Sequence, residues 1–192
     1  MRLPWSVAFL VLWVSLIWSP VAHAADDDVW ALLKKPGHIV LLRHSNAPEG
    51  PGESYDMDFK NCAIQRNLDE AGRAQARRIG DEFRKRGIKQ ARLAASQYCR
   101  TLETAKLMKL GPVQELPALN QVFLANPLRL REATDKSRQF MKTIPARQLT
   151  VLVSHVSNIH SIAGVTLSSG EMAVVHFDRS GDIVVDGRIT VP

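Results

Sequence analysis

The sequence predicts an α/β domain, a three-layer sandwich built on a mainly parallel central sheet. Two observations carry this expectation. Three short apolar runs, His38 to Leu42, Arg92 to Ala95 and Val151 to Ser154, are each followed, directly or after a loop, by a segment of helical character. Such alternation requires crossovers, and crossovers put helices on both faces of a parallel sheet. The segment from Asp69 to Arg86 repeats apolar residues every three or four positions, the period of a helix laid on a sheet. At 192 residues the chain is long enough for one well-buried core and too short for two comfortable domains.

Residues 1–24 stand apart from that domain. Arg2 precedes an uncharged, mostly apolar run from Leu3 to Ala22, and Ala22-His23-Ala24 offers the small residues that a signal peptidase requires. Cleavage after Ala24 is expected, leaving residues 25–192 as the mature domain in the periplasm or outside the cell. The run is long enough to approach a bilayer span, but Pro20 and the cleavage site favour removal, so no stable membrane span is expected afterwards.

Along the mature chain, Val29 to Lys35 reads as a short helix ended by Pro36-Gly37, and His38 to Leu42 as a buried strand. From Ser45 to Asn67 no period is sustained, and Pro48, Gly50, Pro51 and Gly52 break the backbone, so a long loop of functional character is expected. In the next helix Leu68, Gly72, Ala76, Ile79 and Phe83 form the apolar stripe, with Asp69 as N-cap and Gly87 after a basic last turn. Its arginines (Arg73, Arg77, Arg78, Arg84) read as a solvated face. Arg92 to Ala95 is a strand and Arg100 to Leu110 a helix stopped by Gly111-Pro112. A poorly periodic stretch runs through Asn126-Pro127, then a helix from Asp135 to Thr143, the strand Val151 to Ser154, and a helix from Asn158 to Ala163. The tail alternates in Met172 to Phe177, Ile183 to Val185 and Arg188 to Val191, which reads as strands joined by tight turns at Gly181 and Gly187.

Ligands of such sheets bind beyond the carboxyl ends of the strands. Arg43 and His44 follow the first strand, Arg100 the second and His155 the third. If those strands are neighbours, two imidazoles and two guanidinium groups converge on one pocket suited to phosphate. A lone Arg-His pair is usually incidental, so the argument rests on the four together.

The motifs resemble those of the histidine phosphatase superfamily, also called phosphoglycerate-mutase-like. Arg43-His44-Ser45 is similar to its Arg-His-Gly triplet, and Leu68 to Ala76 to its leucine, N-cap, glycine and Gln-Ala helix signature. Ser96 to Ala105 is similar to the element carrying the second arginine, and Ser154-His155 to that carrying the second histidine. The resemblance implies that His44 is the phosphorylated nucleophile, Arg43 and Arg100 are phosphate clamps, and His155 is a further catalytic, phosphoryl-binding group. It implies hydrolysis of a small phosphorylated substrate, a phosphomonoester, without metal or cofactor. Guanidinium forks grip phosphoryl oxygens in a defined orientation, and they disfavour protonation of a neighbouring imidazole, which must attack in its neutral form.

Two residues depart from the family pattern. Ser45 stands where glycine is common. Gln121, in Leu119-Asn120-Gln121, stands where many members carry an acidic proton donor, and an amide cannot serve as that acid. Glu49, Glu53, Asp56 and Asp58 in the long loop are the candidate replacements, and Asn46 and Arg66 are candidate substrate contacts. The rival readings are a non-catalytic phosphate-binding member of the same fold and a phosphotransferase or mutase.

Cys62 and Cys99 are the only cysteines. In an oxidising compartment a disulfide between them would contribute roughly 3 kcal/mol by restricting the unfolded chain; two separate buried thiols are the alternative. His38, His160 and His176 show no zinc-ligand spacing with each other or with the cysteines, so no metal site is expected. The formal charge of +6 drops to +5 on loss of Arg2, and the domain stays basic. No Lys/Arg block interleaves with aromatics, so no nucleic-acid partner is expected. The sequence specifies neither the identity of the ester nor an oligomeric state.

Overall fold

In the first strand, β1 (Ile39–Arg43), alternate side chains must leave opposite faces of the sheet, and both sets are apolar. Val40 and Leu42 enter one core together with Ile79, Phe83, Ala105 and Met108. Ile39 and Leu41 enter a second core with Met141, Ile159 and Ile162. A strand that is apolar on both faces needs cover on both, and three layers result. The computed structural model describes residues 21–50, 53–54, 57–122 and 126–192, with side chains from Asp27 onward.

On the first face lie α1 (Val21–Leu32), α2 (Glu70–Lys85) and α3 (Cys99–Met108). On the other lie α4 (Pro127–Lys142) and α5 (Val156–Ala163). The remaining strands are β2 (Arg92–Ala95), β3 (Val113–Glu115), β4 (Thr150–Ser154), β5 (Met172–Phe177) and β6 (Ile183–Ile189). They form one six-stranded sheet in the order β3-β2-β4-β1-β5-β6. Strands β3, β2, β4 and β1 are parallel, while β5 runs antiparallel to both β1 and β6. The sheet is therefore mainly parallel, as the sequence predicts.

Register is what positions the site. Arg43 pairs with Ser154, and Ala95 with Val153. The ladder continues one residue past the strands, since the His44 amide donates to the Ser154 carbonyl at 3.0 Å and the Ser96 amide to that of Val153 at 3.1 Å. His44, His155 and Ser96 therefore emerge side by side at one sheet edge.

Several boundaries differ from the sequence reading, for identifiable reasons. Helix α1 starts at Val21 rather than Val29, spanning the Ala24–Ala25 bond, and residues 33–35 close as tight turns instead of continuing it. Residues 1–20, the rest of the expected signal segment, lie outside the described residues. Asn126-Pro127 is not a break but a start: Asn126 Oδ1 accepts from the Arg129 amide at 3.2 Å and Pro127 takes the first helical position, so α4 begins there. Strand β3 has too little alternation to show in the sequence, being a short edge half exposed to water. The final strand is continuous through Gly187, whose lack of a side chain admits Val29 of α1: an added Cβ would lie 2.4 Å from Val29 Cγ2.

Helix α2 follows its predicted pattern closely. Asp69 Oδ1 caps it by accepting from the Gly72 amide at 2.6 Å, and Ala76, Ile79 and Phe83 are wholly buried. Burying Phe83 alone contributes about 2 to 3 kcal/mol. The Arg73 and Arg77 contacts to Glu70 lie at the surface and contribute little. Gly72 has a different duty, because a Cβ there would fall 1.9 Å from the Asn46 carbonyl oxygen. Backbone meets backbone, two residues beyond His44. We expect Gly72→Ala to displace that loop and cost at least about 2 kcal/mol, read as a lowered denaturation midpoint. A loss below about 0.5 kcal/mol would show that the Asn46 backbone yields freely.

Candidate active site

His44 is buried at the end of β1, and its Nδ1 lies 2.8 Å from the Ser45 carbonyl oxygen. A carbonyl only accepts, so Nδ1 carries the proton and Nε2 is left with the lone pair. The His155 ring stands against it, with centroids 5.4 Å apart. His155 is held at both nitrogens: Nε2 is 2.8 Å from Ser96 Oγ, and Nδ1 is 3.3 Å from Arg100 Nη2. Because a guanidinium only donates, Nδ1 is the acceptor and Nε2 carries the proton toward Ser96.

Arg100, in the first turn of α3, is fully buried. Its Nη1 and Nη2 donate to the two carboxylate oxygens of Glu53 at 2.5 and 3.1 Å, a bidentate fork. Nη2 also donates to Gln121 Oε1 at 2.5 Å, and Nη1 to the Arg66 carbonyl at 3.3 Å. The guanidinium carbon stacks 4.6 Å from the Tyr98 ring centre. Arg43 is half-buried and donates from Nη1 to the Leu167 carbonyl at 2.8 Å. Arg43, Arg66 and Arg100 each keep a buried Nε–H with no acceptor among the described residues. Three guanidinium groups thus cluster about one carboxylate, an arrangement that favours an anion.

A family model for the histidine phosphatase superfamily (branch 1) matches residues 39–126. No curated protein matches the sequence. Among solved structures, the protein histidine phosphatase SixA complexed with tungstate is 16% identical, with a TM-score of 0.56 over 80% of this chain and 96% of that one. The phosphoserine phosphatase of Entamoeba histolytica in complex with 3-phosphoglyceric acid is 12% identical, with a TM-score of 0.58 over 80% of this chain and 96% of that one. At such identities the likeness to these structures is one of fold. The family model spans the stretch from β1 to the N-cap of α4, so this part of the chain is similar to the histidine phosphatase superfamily.

In this histidine phosphatase fold the residues singled out in the sequence separate into three groups. Arg43, His44, Arg100 and His155 come together in one buried cluster. Arg66 joins them and is itself tied to Glu53, whose Oε1 accepts its amide at 3.0 Å. Asn46 turns away: its amide donates to Gln75 Oε1 at 2.9 Å and its Nδ2 to Asp69 Oδ2 at 3.1 Å, binding the loop to α2.

Of the candidate proton donors among the described residues, only Glu53 reaches the cluster. Glu49 is exposed, Asp58 is exposed and caps its own turn by accepting from the Lys60 amide at 2.9 Å, and Asp56 lies outside the described residues. Gln121, marked in the sequence as a departure from the family pattern, contacts Arg100, and Ser96 is a contact the sequence reading did not assign. Ser96 had a positional signal, since it follows β2 as His44 follows β1. Gln121 is presented by a loop clamped at both ends: Asn158 Nδ2 donates to the Asn120 carbonyl at 2.8 Å, and Asn120 Oδ1 accepts from the Gln97 amide at 2.7 Å. Asn158 therefore braces this loop and does not cap α5. Ser45 fits wholly buried, its amide donating to Thr104 Oγ1 at 3.0 Å.

Cys62 and Cys99 form a disulfide with Cα atoms 5.8 Å apart. Cys99 immediately precedes Arg100, so the bridge ties the long loop to the turn that carries the buried guanidinium. Gln65 reinforces it, accepting from the Cys99 amide at 2.9 Å.

Burial above all, and next the charge of Arg100, push the His44 imidazole down to about 3, against the opposing pull of the Ser45 carbonyl. His155 is held well below the ordinary histidine range by burial and then by Arg100. Both rings are neutral at neutral pH. As pH falls below 6.5, the ordinary histidine value, the unfolded chain gains a proton that folded His44 refuses until about 3. Stability is therefore present above pH 6.5 and lost on descent toward pH 3. We expect the wild type to lose about 3 kcal/mol more than His44→Ala between pH 7.5 and 4.5, measured by denaturant unfolding at both pH values. Parallel slopes for the two proteins would refute this assignment.

Proposed function

We propose that the protein hydrolyses a phosphomonoester through a phosphohistidine formed at His44 Nε2. The observation that carries this reading is the unprotonated Nε2 of a buried histidine among three guanidinium groups. Arg100 and Arg43 hold the phosphoryl oxygens and meet the charge that spreads over them during transfer. The Nε2 lone pair attacks phosphorus as the ester P–O bond breaks. The imidazole becomes cationic, and its Nδ1–H is already directed at the Ser45 carbonyl. Water then adds to phosphorus, the N–P electron pair returns to Nε2, and phosphate leaves. Guanidinium groups supply the electrostatic stabilisation, and the reading calls for no metal.

His155 enters as a phosphoryl ligand once the ester is bound. A phosphate dianion offsets the Arg100 charge and so favours a proton on the His155 ring, which then has N–H to offer the oxygens. Before that, the neutral ring accepts from Arg100 and keeps it aligned.

Glu53 occupies the fork of Arg100 that the phosphoryl group requires, so binding of the ester displaces it. The displaced carboxyl would then lie beside the phosphoryl group and its leaving oxygen. We assign it as the donor to the leaving alkoxide and as the acceptor of a proton from the attacking water. Gln121 holds Arg100 without neutralising it, which leaves the proton to Glu53.

The substrate is placed outside the cytoplasm, in the periplasm or medium. The signal-like run ending in Ala22-His23-Ala24 and the Cys62–Cys99 bridge support that location.

His44→Ala is expected to lose at least about 10³ in kcat/KM and to yield no acid-labile, alkali-stable label from a 32P-ester, whereas the wild type is labelled on quenching. An unlabelled wild type that still binds phosphate and turns over no ester would favour a non-catalytic binding protein. Glu53→Gln separates the two consequences of the fork. As proton donor, Glu53 gives about a 10²-fold loss on an alkyl phosphate and little on p-nitrophenyl phosphate, whose phenolate leaves unaided. Equal effects on both esters, with tighter phosphate binding, would make Glu53 a competitor for Arg100 and nothing more.

A further inference from the structure

His38, His176 and Asp186 lie far apart in the sequence, and the antiparallel part of the sheet gathers them. Strand β1 pairs Ile39 with Val175 of β5, so one step further His38 faces His176 across the strands. Strand β6 pairs Gly187 with Val174 and Val185 with Val175, which leaves Asp186 as the extra residue of a β-bulge. Bulges re-aim a side chain. Here the re-aimed side chain is a carboxylate, turned between two imidazoles.

The resulting distances are short. Asp186 Oδ2 lies 2.8 Å from His176 Nδ1 and 3.6 Å from His38 Nε2. One ligand atom from each of the three residues falls within 4.8 Å of the others, and all three residues are partly buried. His38 Nδ1 lies 3.3 Å from the Lys35 carbonyl oxygen, an acceptor, so Nδ1 donates there and Nε2 is the nitrogen left to face the Asp186 oxygen. Either a proton or a metal cation joins Nε2 to that oxygen. The convergence of a third donor, His176 Nδ1, on the same carboxylate is what a metal ion would use and an ion pair does not require.

We propose that His38 Nε2, His176 Nδ1 and Asp186 Oδ2 bind one zinc(II) ion, with water as the fourth ligand. Two imidazoles and a carboxylate form a donor set suited to zinc, and tetrahedral coordination at its usual bond lengths needs donor atoms about 3.3 Å apart. Small side-chain rotations close that gap. The Lys35 carbonyl serves as the outer partner that fixes the His38 tautomer. On binding, the His176 proton passes through solvent from Nδ1 to Nε2, and the ring stays neutral. The site lies at the opposite pole of the sheet from His44, about 20 Å along β1. Its effect is to clamp β1, β5 and β6 together, and it is independent of the phosphatase reading.

The test is zinc binding by full-length protein stripped with chelator, followed by calorimetry and by the visible absorption of bound cobalt(II). Wild type is expected to take one equivalent with a tetrahedral cobalt spectrum. His176→Ala and Asp186→Asn should each weaken binding at least 10-fold, and His44→Ala should leave it unchanged. Unchanged zinc affinity in folded Asp186→Asn, loss of binding in His44→Ala, or no uptake by wild type at about 0.1 mM zinc would each overturn the assignment. Should His176→Ala fail to fold, imidazole NMR signals of the wild type decide: zinc must shift those of His38 and His176, and unshifted signals refute the site.

Discussion

Everything at the active pole depends on holding three guanidinium groups together, one of them, Arg100, fully out of water. Burial above all, and next the charges of neighbouring guanidinium groups, oppose the charged form of Arg43, and burial opposes that of Arg100. The fold holds them there. Arg43 is locked by the pairing of β1 with β4, and Arg100 by the first turn of α3. Arg66 is held through the Glu53 carboxylate and the loop pinned by the Cys62–Cys99 bridge. The main chain thus imposes an arrangement that the side chains oppose, and Glu53 relieves it only in part.

That enforced charge explains the state of the nucleophile. A histidine in water spends much of its time protonated near neutral pH, whereas His44 is kept neutral by burial and by the same cations that would grip a phosphoryl group. One device therefore serves binding and activation. Its cost appears in acid, where a folded chain that refuses a proton competes with an unfolded chain that accepts it. The Ser45 carbonyl moderates this by orienting Nδ1–H, and on the proposed reading it would steady the cation formed when Nε2 attacks.

How much of this was legible depended on whether a signal was local. The strands β1, β2 and β4 and helix α2 announce themselves through short apolar runs, a 3.6-residue stripe and the Asp69 cap. Their order fixes a parallel arrangement, so Arg43, His44, Arg100 and His155 were identifiable from four strand ends. The N-cap role of Asn126 was harder, because an Asn-Pro pair marks a turn as readily as the first position of a helix. Nothing local announces β3, which is stabilised by its neighbour rather than by its own pattern. The fork between Glu53 and Arg100 spans 47 residues and depends on loop geometry, which no periodicity encodes. The trio of His38, His176 and Asp186 was invisible for a related reason: its spacing exists only across strands, and Asp186 joins it through a bulge.

The pairing of Glu53 with Gln121 on one guanidinium carries a further consequence for selectivity. Had an acid stood at position 121 with Glu53 also in place, two carboxylates would compete for Arg100 and cancel much of the positive charge on which anion binding relies. An amide contributes the same hydrogen bond at no electrostatic expense, since its oxygen accepts from Nη2 as a carboxylate would. The site thereby retains its net positive charge, and on the proposed reading acid-base work falls to a residue on the long loop. Protonation of the leaving group would then be coupled to displacement of Glu53 by the incoming ester. An ester too small to displace that carboxylate would find Arg100 engaged and no acid positioned. If the proposed reading holds, discrimination among esters originates in the loop between β1 and α2, while the chemistry stays at the strand ends.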